Sequence, residues 1–170
     1  VLHHNLFFDA DFKIHSEEIY TSKKWPTDPL FYMSAPSVTD DTIAPDGHEN
    51  LFILIPIAPD LEDTEAIREH YFSRVLERIK MITGEDLQDR IVYKRSYCVK
   101  DFKADYHSFQ GNAYGLANTL RQTAFMKPKM KSRKLDNLYF TGQLTVPGPG
   151  IPPALISGQI VAREVMKNYA

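Results

Sequence analysis

The residues with the clearest chemical potential lie in one segment, residues 137–158, which reads NLYFTGQLTVPGPGIPPALISG. A short apolar strand leads into a loop rich in proline and glycine, and Pro152 and Pro153 then open a predicted helix. Gly148 and Gly150 remove side chains where the backbone can approach another group closely. Because backbone N–H groups and the positive end of a helix converge there, the loop favours a phosphate, a carboxylate or an anionic ring.

The same pattern also fits a connector that simply leads into a core helix. Glycine-rich turns before helices are common, so spacing alone leaves the anion-binding and connector interpretations equally weighted. The helix predicted over residues 152–168 carries Ser157, Gly158 and Ala162, small residues that permit close packing against a ligand or a sheet.

The remaining candidates for chemistry are weaker. His3, His4 and His15 lack cysteine or carboxylate partners at a recognised ligand spacing, so no metal site is predicted. Cys98 is the one cysteine, which excludes an internal disulfide. It lies in a predicted strand and is interpreted as a small buried hydrophobic residue rather than a nucleophile.

Composition excludes several classes of protein. Of the 170 residues, 43% are hydrophobic and 25% are charged, ordinary values for a globular domain that exclude wholesale disorder. The formal net charge of −2 supplies no basic surplus for a phosphate backbone, so no nucleic acid partner is expected. The longest apolar run, residues 51–58, contains Pro56 and is too short to span a bilayer.

Strand signals cluster in the first hundred residues. Short apolar runs predict four strands, at residues 2–8, 31–35, 51–57 and 91–99. A weaker extended segment is predicted at residues 18–24. The third run is nearly all apolar, which is typical of a strand covered on both faces. Pro45-Asp46-Gly47 has turn chemistry, so the second and third strands are predicted to form a hairpin with a long loop.

The strongest helix signal lies between residues 63 and 84. Apolar residues recur there at spacings of three and four: Ile67, Tyr71, Val75, Ile79 and Ile82. Asp63 or Thr64 can cap the start of this helix, and Gly84 its end. Six charged residues on the opposite face predict a solvated surface: Glu65, Arg68, Glu69, Arg74, Glu77 and Arg78. Strands and helices together predict a mixed α+β fold.

Four stretches resemble successive segments of one protein family. They read HHNLFF, FYMSAPSVTDDTIAPDGHENLFILIPIAP, HSFQGNAYGLANTLRQTAFMKPK and NLYFTGQLTVPGPGIPPALISGQIVA, in this order along the chain. The chain thereby resembles the bacterial-type carotenoid (phytoene) desaturases, members of the amine-oxidase-like flavoprotein superfamily. The most specific part of the resemblance is the T-x-P-G-x-G-I-P core at residues 145–152.

This resemblance implies an FAD-dependent oxidoreductase that introduces carbon–carbon double bonds into a polyene. It implies that residues 1–125 form part of a substrate-binding domain with an antiparallel sheet, and that residues 126–170 form the C-terminal part of an FAD-binding domain. The G-x-G-x-x-G unit with which the family holds the ADP half of FAD does not occur in this sequence. Since the sequence also begins at Val1, we expect a C-terminal fragment of a longer protein.

The resemblance assigns a cofactor site but no catalytic residue. Seven residues are expected to line the isoalloxazine and ribityl end of FAD: Gly142, Gln143, Thr145, Gly148, Gly150, Ile151 and Pro152. Many family members resemble this chain but have histidine at the position of Val146, so no acid–base chemistry is expected there. Gln143 stands where related flavoenzymes often have an acidic residue, and its amide can still form hydrogen bonds to FAD.

The resemblance also implies partners and a location. A carotenoid is lipophilic and lives in a bilayer, so a cytoplasmic protein peripheral to the membrane surface is expected. Five basic residues either form a solvated loop or contact anionic lipid head groups: Lys127, Lys129, Lys131, Arg133 and Lys134. The fragment alone is expected to hold no FAD and to self-associate through apolar surface.

Two other functions stay open at this point. Carotenoid isomerases and retinol saturase-like flavoproteins share much of the signature, and product analysis with phytoene would separate them from a desaturase. A lipid-binding module without a redox role is the alternative from a different class. The lipid-binding alternative would be favoured if no flavin-binding half preceded Val1.

Overall fold

A computed structural model describes residues 1–117 and 119–169 of the chain. The chain divides into two compact units, Val1–Tyr106 and His107–Ala170. Within the described residues it forms one three-stranded antiparallel sheet and four α-helices. The predicted mixed α+β fold is therefore confirmed. No helix in the described part of the chain is both long and apolar enough to cross a membrane.

The first unit is built on the sheet, whose strands lie in sequence order. Strand β1 covers His4–Phe7, β2 covers Phe31–Ser34 and β3 covers Phe52–Leu54. Both neighbouring pairs are antiparallel, with Phe7 opposite Phe31 and Met33 opposite Ile53. The first three strand predictions and the long-loop hairpin are thus confirmed, although β3 is shorter than expected. Phe52 is 55% exposed, so β3 is not covered on both faces.

A long helix covers one face of the sheet. Helix α1 covers Phe12–Ser16, and α2 covers Glu65–Thr83. Thr64 caps the start of α2 through its hydroxyl, which accepts a hydrogen bond from the N–H of Ile67, and Gly84 ends it in the left-handed conformation (φ 77°). The apolar stripe of α2 completes a small core made of Phe7, Phe31, Met33, Val75 and Ile79. The predicted helix and both of its caps are confirmed.

The charged face of α2 is not uniformly solvated, contrary to the prediction. The side chain of Arg68 is 14% exposed and forms ion pairs with Asp63 and Asp101. Arg78 is also buried, and its guanidinium donates hydrogen bonds to Asp9 and to the carbonyl oxygen of Pro29. Asp63 lies directly before the helix, whereas Asp9, Pro29 and Asp101 come from other parts of the chain, so the charge pattern of the helix alone does not reveal them.

Two predicted extended segments are wrong. Residues 18–24 lie mostly in a π-helical segment, Glu17–Ser22, that continues α1. A residue outside this segment stabilises it: the buried carboxylate of Glu18 accepts hydrogen bonds from the N–H and the hydroxyl of Thr27, at 2.8 and 2.6 Å. Residues 91–98 are irregular, with Tyr93 78% exposed, and α3 begins at their end, covering Val99–Tyr106.

The second unit consists of short 3₁₀ turns and one long helix. Three of these turns lie between Phe109 and Met126. The apolar stretch predicted as a short strand at residues 138–140 forms a single antiparallel bridge, between Tyr139 and Lys131. Helix α4 covers Ile151–Tyr169, which confirms the predicted terminal helix to within one residue at either end. The loop at residues 141–150 therefore joins a bridged segment to the start of α4.

Candidate functional site

The loop between residues 141 and 150 bends sharply at its glycines. Gly142 has φ 106° and Gly148 has φ 143°, values that side-chain-bearing residues rarely adopt. Between them, Thr145 is 2% exposed. Its N–H and its hydroxyl both donate to the carbonyl oxygen of Gly142, at 3.2 and 2.9 Å. The first half of the loop is therefore a closed turn rather than an extended connector.

Ser157 on α4 fixes the start of this turn. Its side chain is fully buried, and its hydroxyl donates to the carbonyl oxygen of Ala154 at 2.6 Å. Because a hydroxyl has one hydrogen, Thr141 must donate the hydrogen bond that joins its own hydroxyl to Ser157 at 2.7 Å. The N–H of Gly142 donates to the same oxygen at 2.7 Å. One serine thus attaches two consecutive loop residues to the helix.

The start of α4 presents few hydrogen-bond donors. Pro152 and Pro153 have no N–H, and the N–H of Ala154 already donates to the carbonyl oxygen of Gly150 at 3.0 Å. The N–H groups in the first turn of a helix have no hydrogen-bond acceptor within the helix. In the first turn of α4, the N–H that remains in this position is that of Ile151. The expectation that unpaired N–H groups of the helix end converge on a ligand is therefore wrong. What this end can offer a ligand is mainly its positive dipole field.

The space beside Gly142 is open. A β-carbon built on this residue would meet no atom within 4 Å, so a ligand can approach the backbone there. Gln143, the residue after Gly142, is half-buried. Residues 137–162 contain no charged side chain. Backbone groups, one amide and open space fit the polar edge of a flavin, which forms hydrogen bonds and requires close approach of the backbone.

All seven predicted site residues lie in this loop or at the start of α4. Thr145 and Gly148 are buried and support the loop from inside, whereas Ile151 is 79% exposed. The remaining four are half-buried or exposed: Gly142, Gln143, Gly150 and Pro152. Two of the seven residues are therefore buried, and the contact of all seven with FAD stays a prediction.

Sequence reasoning missed two contributors to the loop. Ser157 was singled out for its small size, but its hydroxyl is what attaches the loop; a polar residue on an apolar helix face was the available signal. Lys127 was grouped with the basic loop, yet it is 6% exposed. A β-carbon on Gly148 would lie 3.6 Å from both Cε and Nζ of Lys127. For this residue the expectation of a solvated or lipid-facing side chain is wrong.

Comparison with known proteins gives consistent matches. No family model matches the chain. It is 48% identical over 168 residues to carotenoid 3,4-desaturase of Haloarcula japonica, a match that covers 99% of this chain and 34% of that protein. It is 34% identical over 173 residues to 4,4'-diapophytoene desaturase (4,4'-diaponeurosporene-forming) of Staphylococcus aureus, covering 97% of this chain and 34% of that protein.

A third match agrees with these two. The zeta-carotene-forming phytoene desaturase of Myxococcus xanthus is 31% identical over 172 residues, covering 98% of this chain and 32% of that protein. The chain thus spans about a third of the length of the relatives it matches. All three matches run through both compact units, so the similarity to carotenoid and phytoene desaturases extends along nearly the whole chain.

Proposed function

We propose that this chain is part of an FAD-dependent carotenoid desaturase, an oxidoreductase that introduces double bonds into a polyene. The observation that carries the proposal is the loop at Gly142, which combines open space with a backbone conformation that requires glycine. Similarity to three desaturases runs through this loop. The domain assignment follows from the same proposal: residues 1–125 belong to the substrate-binding domain and residues 126–170 to the FAD-binding domain.

In this proposal the loop holds the isoalloxazine and ribityl end of FAD. The backbone at Gly142 and Gly150 permits close approach, and the Gln143 amide supplies hydrogen bonds. Ser157 and Thr145 keep the loop in one conformation through the hydrogen bonds described above. When bound, FAD would accept the electrons and hydrogen that leave two adjacent carbon atoms as a double bond forms.

The positive end of α4 contributes electrostatically. It lies at Ile151, directly after the loop, and favours negative charge nearby by about 0.3–1 kcal/mol. A flavin ring gains negative charge on reduction, so this field favours the reduced cofactor. Because the field belongs to a fixed helix, it needs no rearrangement when the charge develops.

A lipophilic substrate implies contact with a membrane surface. The four exposed members of the basic segment are suited to anionic lipid head groups: Lys129, Lys131, Arg133 and Lys134. We place the protein in the cytoplasm, peripheral to the membrane, for this reason.

The test uses the full natural protein that carries this chain, purified and incubated with phytoene in liposomes. We expect a yellow protein with a flavin absorption spectrum and products that have lost pairs of hydrogen atoms by mass spectrometry. Products of unchanged mass would indicate an isomerase, and products that gain hydrogen a saturase. A colourless protein that binds lipid and leaves phytoene unchanged would overturn the proposal in favour of a lipid-binding module.

A further inference from the structure

Lys127 differs from the other basic residues of its segment. It is 6% exposed, whereas Lys129, Lys131 and Lys134 are exposed. Taking an ammonium group out of water is costly, so a buried lysine is kept in place by polar or charged surroundings. The burial of this one residue separates it from the surface that we assign to lipid.

The end of the Lys127 side chain lies against the loop. Gly148 is the loop residue it meets, since a β-carbon there would be 3.6 Å from both Cε and Nζ of Lys127. Residues 137–162 carry no charge of their own. Lys127 therefore brings a positive charge from a distant part of the sequence to a loop that is otherwise neutral. This charge lies at Gly148, three residues before Ile151, where α4 begins.

We propose that Lys127 is a binding residue of the cofactor loop, whose ammonium group faces an anionic part of the flavin dinucleotide. This inference rests on the proposed function and adds a residue to it. Its charge and the positive end of α4 act on the same loop, so both favour an anion there. Two parts of the cofactor share this chemistry: the pyrophosphate, charged in both redox states, and the isoalloxazine ring, which gains negative charge on reduction.

The experiment compares Lys127→Met with the unchanged protein, using the full natural protein that carries this chain. Loss of a hydrogen bond to a charged group is expected to weaken binding about 10- to 100-fold. If Lys127 faces the pyrophosphate, the dissociation constant of oxidised FAD rises and the midpoint potential stays the same. If it faces the ring, oxidised FAD binds normally. The potential then falls by about 30 mV for each tenfold loss of affinity for the reduced form.

Three further variants keep the test decisive. Lys127→Gln removes the charge but keeps a donor for the buried site, so it replaces the methionine variant if that protein does not fold. Lys127→Arg keeps the charge and is expected to restore most of the affinity or potential. Lys167→Met removes an exposed charge from α4 and is expected to change neither quantity.

The outcomes separate this inference from the function on which it rests. If the unchanged protein holds flavin, and folded Lys127→Gln holds it with the same affinity and potential, the assignment of Lys127 is wrong and the proposed function stands. If the unchanged protein holds no flavin, both are wrong.

Discussion

The hydroxyl oxygen of Ser157 accepts a hydrogen bond from the backbone N–H of Gly142 at 2.7 Å, across fifteen residues of the chain. Ser157 is fully buried, so this bond is shielded from water. It joins the second turn of α4 to the residue with open space beside it. The conformation of the proposed flavin loop therefore depends on a helix that follows it in sequence.

Replacing Ser157 by alanine tests this dependence. The variant leaves the N–H of half-buried Gly142 and the hydroxyl of exposed Thr141 without their acceptor. A buried unpaired polar group costs about 1–3 kcal/mol, so a cost of about 1 kcal/mol is expected at this partly buried site. We expect the free energy of unfolding to fall by that amount in denaturant titrations, and flavin to be lost more readily. Ser73→Ala, at an exposed position on α2, is the control and is expected to stay within about 0.5 kcal/mol. Equal stability of the two variants would contradict the role of Ser157.

Two glycines offer a matched test of the loop itself. Gly142 (φ 106°) and Gly47 (φ 74°) both have positive φ, and a β-carbon on either meets no atom within 4 Å. Alanine at either position therefore introduces backbone strain of about 1–2 kcal/mol without a clash. We expect Gly142→Ala alone to lose flavin, measured as the absorbance ratio of bound flavin to protein. Loss from both variants would show that strain, rather than position, is responsible.

Local patterns predicted the elements that local forces stabilise. Helix α2 was predicted with both caps because its apolar period, Thr64 and Gly84 all lie within one segment. The hairpin of β2 and β3 was predicted from two apolar runs and a turn. The loop before α4 was located from its glycines and prolines, whose backbone preferences depend little on the rest of the chain.

Patterns failed where distant residues decide the outcome. Residues 91–98 have a strand-like alternation, but no partner strand pairs with them in the described structure, and Val92 is 80% exposed. The segment around Glu18 is helical because Thr27 binds the Glu18 carboxylate. Lys127 could not be separated from its basic neighbours because its environment, at Gly148, lies 21 positions further along the chain.

The ion pairs of Arg68 predict a pH dependence of stability. Hydrogen bonds from Arg68 at 2.6 and 2.7 Å are the main cause that lowers the pKa of Asp63, and the N–H of Lys100 adds to it. A carboxylate whose pKa is lower in the folded state stabilises the fold above its unfolded value, about 4. That contribution is lost as the pH falls through the folded-state pKa. We therefore expect the free energy of unfolding to decrease below about pH 4.

Asp63→Asn isolates this contribution. Removing one partner of a buried ion pair typically costs about 3–5 kcal/mol, so the variant is expected to be less stable at pH 7. Its free energy of unfolding is also expected to decrease less steeply below about pH 4. Asp86→Asn is the control, because Asp86 pairs with Lys80 at 2.6 Å but both side chains are at least half exposed. Its effect is expected to stay below about 1 kcal/mol. If the free energy of unfolding of Asp63→Asn decreased below about pH 4 as steeply as that of the unchanged protein, Asp63 would not be the source of this pH dependence.

Membrane contact through the basic segment is tested with anionic liposomes. Neutralising the four exposed cations, Lys129, Lys131, Arg133 and Lys134, is expected to weaken sedimentation with vesicles, since each contributes about 1 kcal/mol near an anionic surface. Binding by the unchanged protein is expected to decrease with salt. The control neutralises four exposed cations of the first unit: Lys13, Lys23, Lys24 and Arg90. An equal decrease in both variants would show that net charge alone matters.

Helix α4 exposes several large apolar side chains. Ile151, Leu155 and Met166 are 79%, 66% and 59% exposed. Contiguous apolar surface of this kind is typical of a face that another protein surface covers.

We therefore expect the 170 residues, expressed alone, to self-associate and to be colourless. Self-association hides apolar surface, whereas the loop and one helix end contribute far less than the roughly 8 kcal/mol that micromolar affinity for FAD requires. Sedimentation equilibrium gives the mass of the species, and Leu155→Lys on the exposed face of α4 is expected to shift it towards the monomer. Gln159→Lys, also at an exposed position on α4, adds the same single positive charge and is the charge control. A yellow monomer with stoichiometric flavin would contradict this prediction, because the chain would then bind its cofactor without further surface cover.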